Sequence, residues 1–300
     1  MRILAAVVTH NRLSLVQRCY QKIKDQSYLP SEILIIDNDS NDGTQEYFKS
    51  INCSYIRQSN SGSSGGWNTA IAYALENKFD AIWLMDDDGY PDCKALEYLS
   101  NNLDDKHSCI SSVVLNENSE SKFVFPFPKI YKINLPVIFG IPRKYYSIKE
   151  IKERLNDQLY PYAHLFNGAL IPIRAIRKIG NVSREFFMFG DEVDYFYRLS
   201  SVGKISTFFD AKHYHPDVSL RKLDNKKIYF YLRNSIILNK KYFNHFLLRS
   251  FLNVLAISLR VMRRNGFKDF IALFFGHHRT AFFYGILHGF TNNMKNERFK

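Results

Sequence analysis

Long apolar runs are missing from this chain of 300 residues. Its longest uninterrupted stretches fall well short of the ~20 apolar residues that cross a bilayer, so no membrane-spanning helix is expected. The opening run RILAAVVT is too short for a secretory leader and precedes no small-residue cleavage site, so none is expected either. Cysteine is scarce. Cys19, Cys53, Cys93 and Cys109 form no CxxC or other close pair, which argues against a thiolate metal centre. Reduced core thiols in a cytoplasmic chain are expected instead. Acidic residues are nearly absent from one end: residues 221–300 hold 16 basic and 3 acidic side chains. Residues 1–115 reverse the balance with 10 basic and 15 acidic, and residues 116–220 carry 15 and 11. The overall charge of +12 therefore does not describe a uniformly basic nucleic-acid binder, and no nucleic-acid partner is expected. It describes a globular head with a basic tail suited to an anionic surface. With 46% apolar and 23% charged residues, wholesale disorder is excluded.

What is present is alternation. Ile3 to Val8 is a continuous apolar run, the pattern of a strand covered on both faces. Leu13, Val16, Tyr20 and Ile23 recur at helical spacing. Glu32 to Ile36, Tyr55-Ile56 and Ala81 to Met85 read as further strands, with a short helix from Thr44 to Phe48. Gln58 to Gly66, with three glycines and four serines, reads as a flexible loop before a helix from Asn68 to Asn77. Such β-α-β alternation predicts an α/β fold with a mostly parallel central sheet and helices on both faces. Residues 116–162 are less regular: Pro126, Pro128, Pro136 and Pro142 break any long helix, and Ile148 to Leu155 reads as a short one. An apolar stretch from Leu165 to Ile173, a helix over Arg174 to Ile179, another after Gly190 and a strand from Lys204 to His215 follow. Beyond Leu220, Phe246, Leu247, Phe251, Leu252, Leu255 and Leu259 alternate with Arg249, Arg260, Arg263 and Arg264 in an amphipathic helical pattern. The expected division is a domain over 1–220, in halves 1–115 and 116–220, and a basic helical region over 221–300.

Ligands of open parallel sheets gather at the carboxyl ends of the strands. Four features fall there: Thr9-His10-Asn11-Arg12, Asp37-Asn38-Asp39, the loop from Ser59 to Asn68, and Asp86-Asp87-Asp88. Three adjacent carboxylates at the end of a buried strand repel one another unless a cation neutralises them. Mg2+ or Mn2+ prefers such oxygen ligands and bridges carboxylates to phosphates. In extended backbone the side chains of Asp86 and Asp88 point the same way, so those two are expected to share an ion. The glycine loop lacks the lysine of a Walker A motif, and no GxGxxG follows the first strand. What remains is a glycine-rich approach to a helix N-terminus, suited to a phosphorylated or sugar ligand. A second acidic cluster, Asp191-Glu192 with Asp194, offers a general base. His213 and His215 alternate on one strand face, and either could complete a metal site, with His215 preferred as the nearer to the strand end. His277-His278 shows no matching acidic partner nearby and reads as surface.

Together VVTHNR, IIDNDSNDGT, NSGSSGGWNTAI, IWLMDDDGYP, NGALIPI, FFMFGDEVDYFYR, HYHP and YFYLRNS resemble, in that order, the family 2 glycosyltransferases of GT-A (nucleotide-diphospho-sugar transferase) fold. The Asp-Asp-Asp run closely followed by Pro is similar to a subgroup with galactofuranosyltransferases and some rhamnosyltransferases. The resemblance covers about residues 1–235. It implies that Thr9, Asn11 and Asp37 contact a nucleoside, that Asp86 and Asp88 bind the divalent ion, and that His215 is its third ligand. Arg12, Asn60, Gly65, Gly66, Trp67, Asn68 and Asp87 complete the set expected around the nucleotide sugar, although Trp67 is equally suited to the core. Many relatives read Glu-Asp where this chain has Asp191-Glu192. Glu192 fits the register of the base, and Asp191 stays open. The implied activity is inverting transfer of a sugar, galactofuranose from UDP-galactofuranose first. Rhamnose from dTDP-rhamnose or another UDP-hexose follows as the alternative. The implied acceptor is a lipid-linked surface polysaccharide such as O-antigen or lipopolysaccharide, reached from the inner face of an anionic membrane, and self-association is left open. A sugar nucleotidyltransferase is the rival enzyme class, but its basic glycine loop after the first strand is absent. A membrane-binding module is the non-enzyme alternative.

Overall fold

The computed structural model describes residues 1–130, 136–138, 143–295 and 299. Pro142, expected to break a helix, lies outside them. The first half alternates β1 (Ile3–Thr9), α1 (Leu13–Lys24), β2 (Glu32–Asp37), α2 (Thr44–Ser50), β3 (Ser54–Arg57), α3 (Gly62–Glu76), β4 (Ala81–Asp86), β5 (Tyr90–Pro91) and α4 (Ala95–Asn102). Next come β6 (His107–Asn116), β7 (Ser119–Pro128), β8 (Lys144–Ser147), α5 (Ile148–Ile151), β9 (Leu159–Tyr160), β10 (Asn167–Pro172), α6 (Ile173–Ile179), α7 (Asp191–Ser200) and β11 (Lys204–His215). The chain ends in α8 (Asn225–Tyr242), α9 (Phe246–Asn265), α10 (Phe267–Phe275) and α11 (Arg279–Phe290).

Strand order is β3-β2-β1-β4-β10-β6-β11-β5. β1, β2, β3 and β4 are mutually parallel, and β6 and β11 are parallel to each other. β10 runs antiparallel to both β4 and β6, so the sheet is more mixed than alternation alone implies. The two antiparallel steps restore direction. β1, β2, β4 and β11 therefore all end on the same edge, which places Thr9, Asp37, Asp86 and His215 along it.

Alternate residues of β1 explain its unbroken apolar run. Leu4, Ala6 and Val8 face one core with Trp67, Ala70 and Ile71 of α3. Ile3, Ala5 and Val7 face the other, with Val16, Cys19 and Ile23 of α1 and Leu96 and Leu99 of α4. The irregular middle becomes an antiparallel arm, β7 pairing with β6 and β8, with Pro126 and Pro128 inside β7. Cys19 and Cys109 are buried, whereas Cys93 is exposed, against expectation.

Two compact units divide the chain: residues 1–182 with 195–217, and residues 183–194 with 218–300. The expected boundary at 220 is thus moved by a few residues, and the segment 183–194 joins the C-terminal unit. That unit has its own core, built by Ile228, Phe230 and Leu232 of α8 with Ile257, Val261, Leu273 and Phe282. Asn234 and Arg233 explain why 183–194 belongs there. The Asn234 amide donates to the carbonyls of Phe186, Met188 and Phe189 at 3.1, 2.8 and 2.6 Å. The fully buried Arg233 guanidinium donates to the carbonyls of Glu185 and Phe186 at 2.9 and 3.1 Å. Among the described residues, no helix is long and apolar enough to cross a membrane.

Candidate active site

The acidic run does not continue its strand. β4 stops at Asp86, and Asp87-Asp88 form a turn, so the extended-backbone reason for pairing Asp86 with Asp88 fails. Hydrogen bonds close the turn. Asp87 and Asp88 are both buried; the Thr9 hydroxyl donates to Asp87 Oδ2 at 2.8 Å, and Arg12 Nη1 reaches Asp87 Oδ1 at 2.8 Å and Asp88 Oδ2 at 3.0 Å. Arg18 Nη2 donates to the Asp88 carbonyl at 2.8 Å. Burial pushes the Asp87 carboxyl up from its ordinary range, and the Arg12 cation opposes that shift.

His215 meets Asp88 across the strand edge. Its Nε2 lies 2.9 Å from Asp88 Oδ1, and its Nδ1 lies 2.7 Å from the Pro216 carbonyl. A carbonyl only accepts, so Nδ1 carries the proton and Nε2 presents a lone pair. An imidazole nitrogen and a carboxylate oxygen 2.9 Å apart present two donor atoms that a divalent ion would fit. The donor set of carboxylate oxygens and one imidazole suits Mn2+ or Mg2+. Asp86 is half-buried at the end of β4. Among the described residues, three donors within 4.8 Å of one another occur only at Asp269, His277 and His278.

His213, the alternative ligand, is enclosed instead. Its ring packs where side chains on Gly89 or Gly168 would sit, and neither of its nitrogens has a hydrogen-bond partner. Burial lowers its pKa to about 3, His215 adding to the shift and Asp88 opposing it. It is a neutral ring wedged behind the site.

The glycine segment corrects the sequence reading. Gly62 opens α3, with its N–H held by Asn60 Oδ1 at 3.1 Å, so Gly65 and Gly66 lie in the helix and not in a loop. A Cβ on Gly66 would come within 2.5 Å of Val8 Cγ1, so glycine is there to let α3 approach β1. Trp67 is fully buried and stacks on Phe166 with ring centroids 4.6 Å apart, which removes it from any sugar face. The Asn68 amide donates to the Val182 carbonyl at 2.6 Å, and Asn181 Nδ2 donates back to the Asn68 carbonyl at 2.8 Å. Asn68 holds a loop, as its expected ligand role did not require.

Asp37 is also fully buried. Its Oδ1 accepts from the Ser40 N–H at 2.9 Å and its Oδ2 from the Tyr55 hydroxyl, while Asp39 pairs with Arg57 on the surface. Asn11, with φ +52, accepts the Asn41 N–H on Oδ1 at 2.8 Å and so ties the β1 loop to the β2 loop. In the second unit, Asp194 takes Lys241 Nζ at 2.7 Å and the Tyr242 hydroxyl at 2.6 Å, which neutralises it. Asp191 and Glu192 open α7, Asp191 buried and Glu192 half-buried.

The sequence profile described as Glycosyl transferase family 2 matches residues 5–165. The chain belongs to that family. Galactofuranosyltransferase GlfT1 of Mycobacterium tuberculosis is 29% identical over 224 residues, 71% of this chain and 70% of its own. Its namesake from Mycolicibacterium smegmatis is 28% identical over 222 residues, with the same coverage. Among solved structures, the mannosyltransferase PcManGT from Pyrobaculum calidifontis, in complex with GDP-Man and Mn2+, aligns over 97% of this chain and 88% of its own. Its TM-score is 0.55 at 12% identity. S. aureus TarS aligns over 90% of this chain and 45% of its own, with TM-score 0.55 and 13% identity. The glycosyltransferase has the GT-A fold, and the strand edge carrying Thr9, Asp88 and His215 is its candidate active site.

Residues with no role assigned from the sequence emerge here. Arg18 braces the Asp88 turn, and Arg233-Asn234 grip the segment before Asp191. Both lie in or beside the matched motifs, yet only the folded chain shows what they hold.

Proposed function

We propose that this glycosyltransferase moves galactofuranose from UDP-galactofuranose onto a hydroxyl of a lipid-linked polysaccharide, with inversion. The observation that carries the site assignment is the 2.9 Å contact of His215 Nε2 with Asp88 Oδ1, a place built for positive charge. The donor assignment rests on the galactofuranosyltransferase relatives. Asp86, Asp88 and His215 would hold Mn2+ or Mg2+, consistent with the ion in the mannosyltransferase neighbour. Such an ion supplies Lewis-acid stabilisation of a departing diphosphate. Arg12, with side chain 42% exposed, adds a cation beside the same carboxylates. Glu192, or Asp191 beside it, takes the proton from the incoming acceptor hydroxyl. Asp194, already held by Lys241 and Tyr242, positions that helix start.

The test is a transfer assay with Mn2+ and parallel UDP- and dTDP-sugars. UDP-galactofuranose should be turned over at least tenfold faster than dTDP-rhamnose or UDP-glucose; a preference for either competitor overturns the donor assignment.

The C-terminal unit supports the membrane part of this reading. Leu247, Phe251, Leu255 and Leu259 recur every four residues on α9 and are 62, 66, 45 and 46% exposed. Phe267 and Phe275 on α10 are 67 and 86% exposed. Arg260, Arg263, Arg264 and Lys268 accompany them, the composition of a helix lying in a bilayer interface. Phe251→Asp with Phe267→Asp should reduce sedimentation with anionic vesicles about tenfold or more while leaving transfer to a water-soluble acceptor intact. Undiminished sedimentation would assign these helices another role.

A further inference from the structure

The His277 and His278 side chains, read from the sequence as surface with no acidic partner, converge with Asp269. Asp269 lies in the first turn of α10, and the two histidines lie between α10 and α11. Asp269 Oδ1 is 3.9 Å from His277 Nε2, and Asp269 Oδ2 is 3.6 Å from His278 Nε2. All three donors fall within 4.8 Å of one another. These separations are too long for hydrogen bonds. They are close to the spacing of donors sharing one tetrahedral ion, where two ligands at ~2.1 Å from the metal lie about 3.4 Å apart.

The orientation is set as well as the spacing. The His278 side chain is only 6% exposed, and its Nδ1 lies 2.6 Å from Asn225 Oδ1. With Oδ1 as acceptor, the ring proton sits on Nδ1, and the Nε2 lone pair faces Asp269. Nε2 has no hydrogen-bond partner. A buried, unpartnered imidazole nitrogen costs free energy unless something binds it. Asn265 Nδ2 donates to Asp269 Oδ2, the oxygen that faces His278, at 3.1 Å and so fixes the carboxylate. An outer shell that fixes tautomer and carboxylate orientation is what metal ligands of this type carry.

We propose that Asp269, His277 and His278 bind one borderline divalent ion of the zinc class, separate from the ion expected at the sugar-donor site. Two imidazoles and one carboxylate match zinc and leave a fourth position for water. The ion ties α10 to the start of α11, and through Asn225 to the start of α8, so it clamps the C-terminal unit.

The experiment titrates the full-length, chelator-stripped protein with Zn2+ by calorimetry, in wild type, Asp88→Ala and His277→Ala. Wild type and Asp88→Ala should both retain the clamp ion, and His277→Ala should lose that equivalent or bind it at least a hundredfold more weakly. His277 is 61% exposed, so its truncation leaves folding intact. Asn225→Ala, which removes the hydrogen bond that orients His278 and the one from Asn225 Nδ2 to the His277 carbonyl, should weaken zinc by about 10–100-fold. Zinc at a hundredfold excess over Kd should favour folding of Asp88→Ala about a hundredfold, read as a higher melting temperature, with no such rise in Asp88→Ala/His277→Ala. Equal zinc uptake with and without His277 overturns the site, as does the absence of uptake by Asp88→Ala. Sugar transfer should persist in His277→Ala, so failure here leaves the donor-site reading untouched.

Discussion

Asp88→Asn should lower sugar transfer about a thousandfold, close to 4 kcal/mol of lost transition-state stabilisation. The substitution keeps the volume and the turn but removes the negative charge that His215 Nε2 and Arg12 Nη1 both face. On the proposed assignment, the ion would then keep Asp86 as its one carboxylate ligand beside His215. Circular dichroism should change little, because the Arg18 bond to the residue-88 carbonyl and the Arg12 bond to Asp87 remain. Calorimetry should show weaker binding of Mn2+ and of UDP in its presence. Wild-type turnover at saturating Mn2+ would dismiss the carboxylate as a metal ligand.

Glu192→Gln should give the second large loss. General-base catalysis contributes about 10²–10⁴-fold, and an amide of the same shape cannot take a proton. Donor affinity should be unaltered, which separates this variant from Asp88→Asn. The pair is decided by comparison with Asp191→Asn. Asp191 is buried at the first position of α7, where a carboxylate also stabilises the helix start, so its loss should cost stability of about 0.3–1 kcal/mol before it costs rate. Full activity in Glu192→Gln together with an inactive Asp191→Asn would transfer the base role to Asp191.

Periodicity exposed most of the architecture because it follows from burial. A strand such as Ile3–Thr9, covered on both faces, has no polar position to interrupt it, and the acidic residues gathered at strand ends had to lie along one edge. Close approach is harder to read. The serines and glycines from Ser59 to Gly66 look like a loop on composition, yet Gly66 is small because Val8 occupies the space a side chain would need. That constraint lies on another element, 58 residues earlier in the chain. Trp67 was ambiguous for the same reason, since stacking on a sugar and stacking on Phe166 require the same ring. Asp269 escaped notice because a helix separates it from His277 and His278, and only the chain reversal after Phe275 makes them neighbours. The resemblance places Arg12 in the set around the nucleotide sugar. In the protein it already balances two carboxylates, an ionic arrangement that residue types alone do not specify.

The hold of Asn234 on the carbonyls before Asp191 has a practical consequence. Phe187 and Phe189 both adopt left-handed backbone, with φ of +65° and +57°, conformations costly for bulky side chains. Three hydrogen bonds from one amide on α8 hold that segment in place, with Gly190 packed against Asn234 and Leu238. The acidic pair that follows therefore leaves a strained segment whose latch lies some forty residues downstream. A shortened enzyme ending near residue 220 would keep Asp86, Asp88, Asp191 and Glu192 and still release the latch. The C-terminal helices cannot be exchanged like an anchor for another anchor: whatever else they touch, α8 fixes the segment that leads into Asp191.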